Sequence, residues 1–278
     1  MSNKRLEPAQ VEQFKREGHL SPIRILDHED ARRYRSILES WEAKLGRPVQ
    51  GPERTKPHLI FQWVDALMRD SRVLDCIEEL IGPDILCWNS WFWIKEADTS
   101  SYVSWHQDSQ YWGLDTSQLV TAWLALSPAS EAAGCMKVLP GSHQGDPMQH
   151  VDLYHQDNLL TRGQEIVDVD ESMAVTMPLQ TGEMSFHNIR IAHASAPNTT
   201  SDRRIGLSFH YMPAGTRQIK ADWDCASLVR GEDRFGHFEL SPAPRFDFDP
   251  IAMAHHRQAT DAMRSLLFQG AEQVRPTI

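Results

Sequence analysis

At Ile85 the period of this 278-residue chain changes, and that change limits the folds open to it. From there on, "ILCWNSWFWIKEA", "LVTAWLALS", "MKVLPGSH", "AVTMPLQTGEMSFHN" and "RRIGLSFHYMP" are short β-rich runs separated by Gly, Pro, Ser or Asp. β-branched and aromatic residues suit a pleated surface, and the intervening turn residues keep each run short. Several short strands spaced by turns predict a sandwich or a jelly roll.

Ahead of Ile85 the chain reads as helical. In "LDHEDARRYRSILESWEAKLG", Asp27 is placed to cap a helix, and Ala31, Tyr34, Ile37, Leu38, Trp41 and Leu45 recur at three- and four-residue steps before Gly46 stops the run. "MRDSRVLDCIEELIGPD" repeats the logic, with Asp70 or Ser71 as cap, Val73, Leu74, Ile77 and Leu80 on one face, and Gly82-Pro83 as terminator. The tail "DPIAMAHHRQATDAMRSLLFQG" predicts a closing helix. There is no internal repeat, low-complexity linker or sharp break in composition. The expectation is therefore one domain over 1–278: a mainly helical buttress over 1–84, a β core over 85–215, and a C-terminal extension and helix over 216–278.

With 41% hydrophobic and 24% charged residues, the composition excludes disorder over most of the chain. The formal charge is −10 and the acidic residues are spread out, which argues against a nucleic-acid or anionic-membrane surface. Cys76, Cys87, Cys135 and Cys225 are isolated, as reduced structural thiols are. "MSNKRLEPAQVEQFKREGHL" lacks the apolar run of a signal peptide, and no later segment approaches the roughly 20 apolar residues of a membrane span. A cytoplasmic protein acting on a small molecule, with neither nucleic acid nor membrane as partner, is expected; oligomeric state stays open.

The stretch "SYVSWHQDSQYWGLD" carries His106-Gln107-Asp108. In an extended strand residues i and i+2 share a face, so an imidazole and a carboxylate there can reach one point, such as a metal ion. The pair alone is weak, since such triplets also arise as hydrogen-bonded surface pairs. Further along, "AGCMKVLPGSHQG" runs into a tight turn, and "MPLQTGEMSFHNIRIAHASAPNTTSDRRIGLSFHYMP" supplies further histidines, Asn198 and an arginine pair.

In this order, from "VEQFKREGHL" to about Pro213, the motifs closely resemble the phytanoyl-CoA dioxygenase family of iron(II)- and 2-oxoglutarate-dependent oxygenases. The resemblance implies a double-stranded β-helix, a cupin-like jelly roll that is mainly β with flanking helices, holding iron in its mouth. It implies His106, Asp108 and His193 as metal ligands and catalytic centre, with Fe(II), 2-oxoglutarate and O2 as cofactor and cosubstrates. Ala194 departs mildly from the family's glycine after the distal histidine. The arginine for the far carboxylate of 2-oxoglutarate lies eleven residues beyond that histidine, which selects Arg204, with Arg203 as fallback; as neighbours on a strand only one can face inward. Trp123 matches a tryptophan lining the cosubstrate pocket, and Thr121, Gln107 and Ser195 are candidates for its hydrogen bonds. Two imidazoles and a carboxylate leave three iron positions open, and a planar guanidinium matches a carboxylate. Halogenating relatives carry a small residue in place of Asp108, so hydroxylation is the implied outcome.

His187 is the rival ligand; its "GEMSFHN" context resembles the family's strand before the ligand and favours a core position. His143 reads as part of the "PGSH" turn and His210 as packing. Trp88, Trp91, Trp93, Trp105 and Trp112 fill space or wall a small, cationic substrate. Tyr111, Trp112, Arg190, Asn188 and Lys56 are the substrate-binding candidates, while Lys95 and Arg217 read as surface charges or as anchors for an anion. "WNSWFWIKE" and "SWHQDSQYWGLD" are most similar to bacterial members that hydroxylate aminoalkylphosphonates beside phosphorus. 2-Aminoethylphosphonate or its N-trimethylated form is thus the expected substrate. The alternatives are a tailoring hydroxylase of natural-product biosynthesis, a non-catalytic cupin-like binding module, and a zinc hydrolase.

Overall fold

The computed structural model describes residues 5–274. Along the chain run α1 (Pro8–Glu17), β1 (His19–Arg24), α2 (His28–Leu45), α3 (Gln62–Met68), α4 (Ser71–Ile81), β2 (Ile85–Lys95), β3 (Val103–His106), α5 (Ser109–Trp112) and β4 (Val120–Ala125). There follow β5 (Met136–Val138), β6 (His150–Asp152), β7 (Gln164–Ile166), β8 (Val175–Met177), β9 (Glu183–Asn188), β10 (His193–Ser195), β11 (Arg204–Pro213), β12 (Cys225–Arg230), β13 (Glu239–Leu240) and α6 (Pro250–Leu267).

The helices begin and end where their caps dictate. The Asp27 carboxylate accepts from the Asp30 N–H at 2.7 Å, and Gly46, at φ 69°, closes α2 in the left-handed region that glycine enters without penalty. Asp70 caps α4 and Asp249 caps α6 in the same way. The apolar face of α4, Val73, Leu74, Cys76 and Ile77, is buried against the sheet.

Two sheets make the jelly roll. The large one runs β1-β9-β4-β11-β2-β12-β13 and the small one β3-β10-β5-β8, with β6 and β7 as a separate pair. The outer face of the large sheet, including Leu124, Phe186, Leu207, Phe209 and Tyr211, joins one apolar cluster with Leu38, Val64, Leu67 and Ile77 of the helices. Burial of this kind is worth roughly 25 cal/mol per Å² of apolar surface and fixes which face turns inward. The sheet is wider than the 85–215 span expected for it. β1 pairs with β9 from within the segment read as a helical buttress, and β12 extends the sheet beyond β2 from within the C-terminal segment. Both are edge-side strands whose ladders, rather than a local pattern of their own, hold them in place.

All four cysteines are buried and free, and burial raises the Cys87 thiol to about 12, so it stays protonated. Among the described residues no helix is long and apolar enough to cross a membrane.

Asn198, fully buried, ties the loop after β10 to the end of β2. Its amide donates to the carbonyls of Lys95, Glu96 and Asp202, and its Oδ1 accepts from the Thr200 N–H. Asn198→Ala removes these hydrogen bonds from a buried loop and is expected to lower stability by about 2–4 kcal/mol in urea unfolding.

Candidate metal centre

The small sheet brings two histidines face to face. β3 and β10 are antiparallel with His106 opposite His193, and the two ring centroids lie 4.0 Å apart. Each ring is fixed by its own chain: His106 Nδ1 meets the Ser104 carbonyl at 2.9 Å and His193 Nδ1 the Ile191 carbonyl at 3.1 Å. Those bonds leave both Nε2 atoms turned to one point, an arrangement typical of metal-ligating imidazoles.

Asp108 joins them by a route other than strand alternation. β3 ends at His106, and Asp108 is helical, at φ −59° and ψ −36°, leading into α5. The turn swings its carboxylate back so that Oδ1 lies 3.3 Å from His106 Nε2. One ligand atom from each of His106, Asp108 and His193 lies within 4.8 Å of the others, and all three residues are buried. Burial holds both histidines down at about 4, hence neutral and able to donate electron pairs at pH 7, and pushes Asp108 up to about 6. A divalent cation at this point would replace the lost hydration of the carboxylate, so the residues fit one.

The cavity above them holds about 460 Å³ of empty space, some of it open to solvent, and its wall includes Trp93, Trp112, Thr121, Trp123, His187, Ser195, Arg204 and His210. At the end away from the histidines Arg204 is buried and donates to the Gly134 carbonyl at 2.6 Å, while its Nε has no protein partner. Its guanidinium lies 5.3 Å from the Trp123 ring. Trp123 has room only because its diagonal neighbour on β11 is Gly206: a Cβ there would come within 1.9 Å of the indole. Lys95 is the register partner of Arg204 and lies fully buried behind the wall, donating to Ser195 Oγ at 2.7 Å and to the Ser195 and Ala196 carbonyls. Burial, reinforced by Arg204, lowers Lys95 to about 6, and burial lowers Arg204 to about 10. The Arg204 guanidinium, buried without a carboxylate partner among the described residues and beside a lysine that burial and its own charge discharge, leaves this end receptive to an anion. The sequence alone reads Lys95 as a surface charge or an anchor for an anion; the signal that it is internal is its place in "WFWIK", in phase with Trp91 and Trp93.

Other expectations are corrected. Gln107 does not face the cosubstrate space: its amide donates to the Arg190 carbonyl at 2.6 Å and its Oε1 accepts from the Met148 N–H at 2.8 Å. Arg203 turns outward to Glu42 and Glu96. Lys56 is buried with its ammonium on the Trp88 and Cys225 carbonyls. Arg190 reaches the Gly145 carbonyl, and Asn188 braces the turn through Ser117 and the Arg190 N–H. None of these borders the cavity. Tyr111 and Trp112 adjoin a side chamber that opens past Asp108 and His210, and Trp112 also lines the main cavity. His187, whose ring is 4.7 Å from His193, stands on the opposite sheet and has no partner on either nitrogen. An unmet buried polar group costs about 1–3 kcal/mol, so its exposure to the cavity calls for a role.

A jelly roll with two histidines, a carboxylate and a cationic far end in one cavity has the architecture of the iron(II)- and 2-oxoglutarate-dependent oxygenases. Within that class the chain belongs to the phytanoyl-CoA dioxygenase (PhyH) family, whose sequence profile matches residues 5–206. It is 31% identical over 179 residues to a probable alpha-ketoglutarate-dependent hypophosphite dioxygenase of Stutzerimonas stutzeri, covering 63% of this chain and 62% of that one. It is 28% identical over 152 residues to the peroxisomal phytanoyl-CoA dioxygenase of Homo sapiens, covering 53% and 45% of the two chains. The chain thus matches less than two thirds of the length of either relative. Among solved structures, the non-heme monooxygenase ThoJ superposes with a TM-score of 0.83 at 31% identity, covering 94% of this chain and 98% of that one. CytC3 with Fe(II) and alpha-ketoglutarate, at 21% identity, a TM-score of 0.66 and coverage of 89% and 98%, shares the fold.

Gly206→Ala is expected to force Trp123 out of its place and cost about 1–3 kcal/mol by overpacking, visible in urea unfolding followed by tryptophan fluorescence.

Proposed function

We propose that the protein hydroxylates a C–H bond of a small polar metabolite, using Fe(II), 2-oxoglutarate and O2. The observation that carries this is the placement, in one cavity, of the His106–Asp108–His193 cluster and the Arg204–Trp123–Ser195 end. When bound, Fe(II) and 2-oxoglutarate supply the oxidising chemistry, in which decarboxylation to succinate and CO2 is coupled to oxygen insertion. His106, Asp108 and His193 would hold the metal from one side. Arg204 would take the far carboxylate, helped by the Ser195 hydroxyl, which is free to donate because its oxygen accepts from Lys95. Trp123 would lie along the cosubstrate chain and exclude water. Asp108 occupies the position that a halogenating enzyme leaves small, so hydroxyl transfer is the outcome we assign.

The substrate we propose is an aminoalkylphosphonate, 2-aminoethylphosphonate or its N-trimethylated form, hydroxylated beside phosphorus. The name of the Stutzerimonas stutzeri relative supports a phosphorus oxyanion, and Trp93 and Trp112 offer faces for an ammonium group. A larger, less charged natural product is the second reading. It is favoured by one fact: apart from Arg204, no lysine or arginine lines the cavity or its side chamber among the described residues. The two are separated by anaerobic titration of the Fe(II) and 2-oxoglutarate-loaded protein with a substrate panel, followed by the visible charge-transfer band. A change with phosphonates alone supports the first reading.

Each residue assignment has an expected outcome. His106→Ala, Asp108→Ala or His193→Ala should abolish tight metal binding measured by calorimetry, whereas His187→Ala should retain the metal; the reverse pattern would move the ligand from His193 to His187. Arg204→Ala should raise the 2-oxoglutarate requirement roughly thirtyfold or more while sparing metal affinity. Arg203→Ala should instead lower stability and leave that requirement unchanged. Oxygen uptake without succinate formation would exclude the oxygenase reading and leave a binding module.

A further inference from the structure

Across the large sheet, one polar residue per strand stands in a single row. His187 on β9 is the register partner of Thr121 on β4, which is the partner of His210 on β11, and Asn89 on β2 continues the line. The first three border the metal-centre cavity and are at most 3% exposed. Both ring nitrogens of His187, Thr121 Oγ1, His210 Nδ1 and Asn89 Oδ1 have no protein partner. Ala122, Phe186 and Phe209, one residue away on the same strands, turn to the other face and are apolar. Packing alone would be met by such side chains, so the row is built for something the cavity receives.

We propose that His187, Thr121 and His210 form the subsite for the head group of the substrate, a small tetrahedral oxyanion of the phosphonate class. This deepens, and rests on, the oxygenase reading. Neighbouring strands lie about 4.8 Å apart and their side chains stand roughly perpendicular to the sheet. Two long imidazoles flanking one short hydroxyl therefore make a concave cup, with a donor from each of three sides. The His210 ring is fixed in the orientation this requires, since its Nε2 meets Ser208 Oγ at 3.2 Å and it packs on Trp112 at 4.6 Å, which leaves Nδ1 for the ligand. Lys56 gives the cup its sign. Its buried ammonium has only carbonyl partners among the described residues and lies 5.4 Å from the Trp88 ring, itself 6.5 Å from His210. A fixed positive charge behind the wall favours an anion in front of it, without a cation in direct contact.

The row is also distinct from the cosubstrate's far end. His210 and Arg204 are six residues apart on β11, an axial distance of roughly 20 Å, too far for one small carboxylate to serve both. With the head group in the cup, beside His193, the carbon next to it lies over the metal centre, and the rest of the molecule extends toward Trp93 and Trp112.

The test uses the full chain loaded with redox-inert Ni(II) and 2-oxoglutarate, titrated by calorimetry with methylphosphonate and, separately, with methanesulfonate and acetate. Methylphosphonate should bind most tightly. Thr121→Val and His210→Phe should each weaken it roughly ten- to hundredfold, Thr121→Ser should restore it, and Ni(II) affinity should not change. Equal methylphosphonate affinity in wild type and Thr121→Val overturns the subsite, and binding of acetate or methanesulfonate as tight as the phosphonate overturns the class. If 2-oxoglutarate fails to bind while methylphosphonate still binds in a Thr121-dependent way, the subsite stands and the oxygenase reading falls.

Discussion

The register of β11 between β2 and β4 is the constraint on which everything else depends. Its residues alternate: Ile205, Leu207, Phe209 and Tyr211 enter the apolar layer under the helices, while Arg204, Gly206, Ser208 and His210 turn to the cavity side, and the pairing with β2 shifts between His210 and Tyr211. A slip by one residue would bury the arginine in the helix layer and put leucine and phenylalanine where the ligands meet. The apolar set on the outer face makes that slip unfavourable, so hydrophobic burial, which has no chemical specificity of its own, fixes the positions of the polar groups.

The same dependence appears in the electrostatics. Burial keeps His106, His193 and His210 neutral and pulls down Lys95, so each group is held in a state that a ligand would improve. Coordination, carboxylate binding at Arg204 and head-group binding at the His187–Thr121–His210 row would each supply partners the folded chain lacks. The stability given up in burying such groups without partners is the energy available for recognition.

Much of this was legible in the chain. The caps Asp27 and Asp70 and the terminator Gly46 mark the helices because capping is a local interaction. β2, β4 and β11 announce themselves through long β-rich runs, and the grouping of His106, Asp108 and His193 is what the family resemblance implied. The misreadings share one cause. Gln107, Arg190 and Asn188 are close to the motifs in sequence and Lys56 is far from them, yet each commits its polar atoms to backbone carbonyls or turns. Proximity along the chain does not report which way a side chain points once loops close over a barrel. β1 and β12 escape a sequence reading because their place in the sheet is set by partners rather than by their own pattern.

The sequence by itself determined the class of fold and the helix ends, and its family resemblance pointed to His106, Asp108 and His193 and, by the spacing after His193, to Arg204 rather than Arg203. Tertiary structure decided the rest. It turned Asp108 back onto His106 through a helical turn rather than along a strand, set Lys95 beside Arg204, and aligned His187, Thr121 and His210 from three strands separated by up to 89 positions in the chain. The physical reason is that cross-strand register, and with it the content of a cavity, arises from long-range pairing and burial that no local stretch of residues encodes.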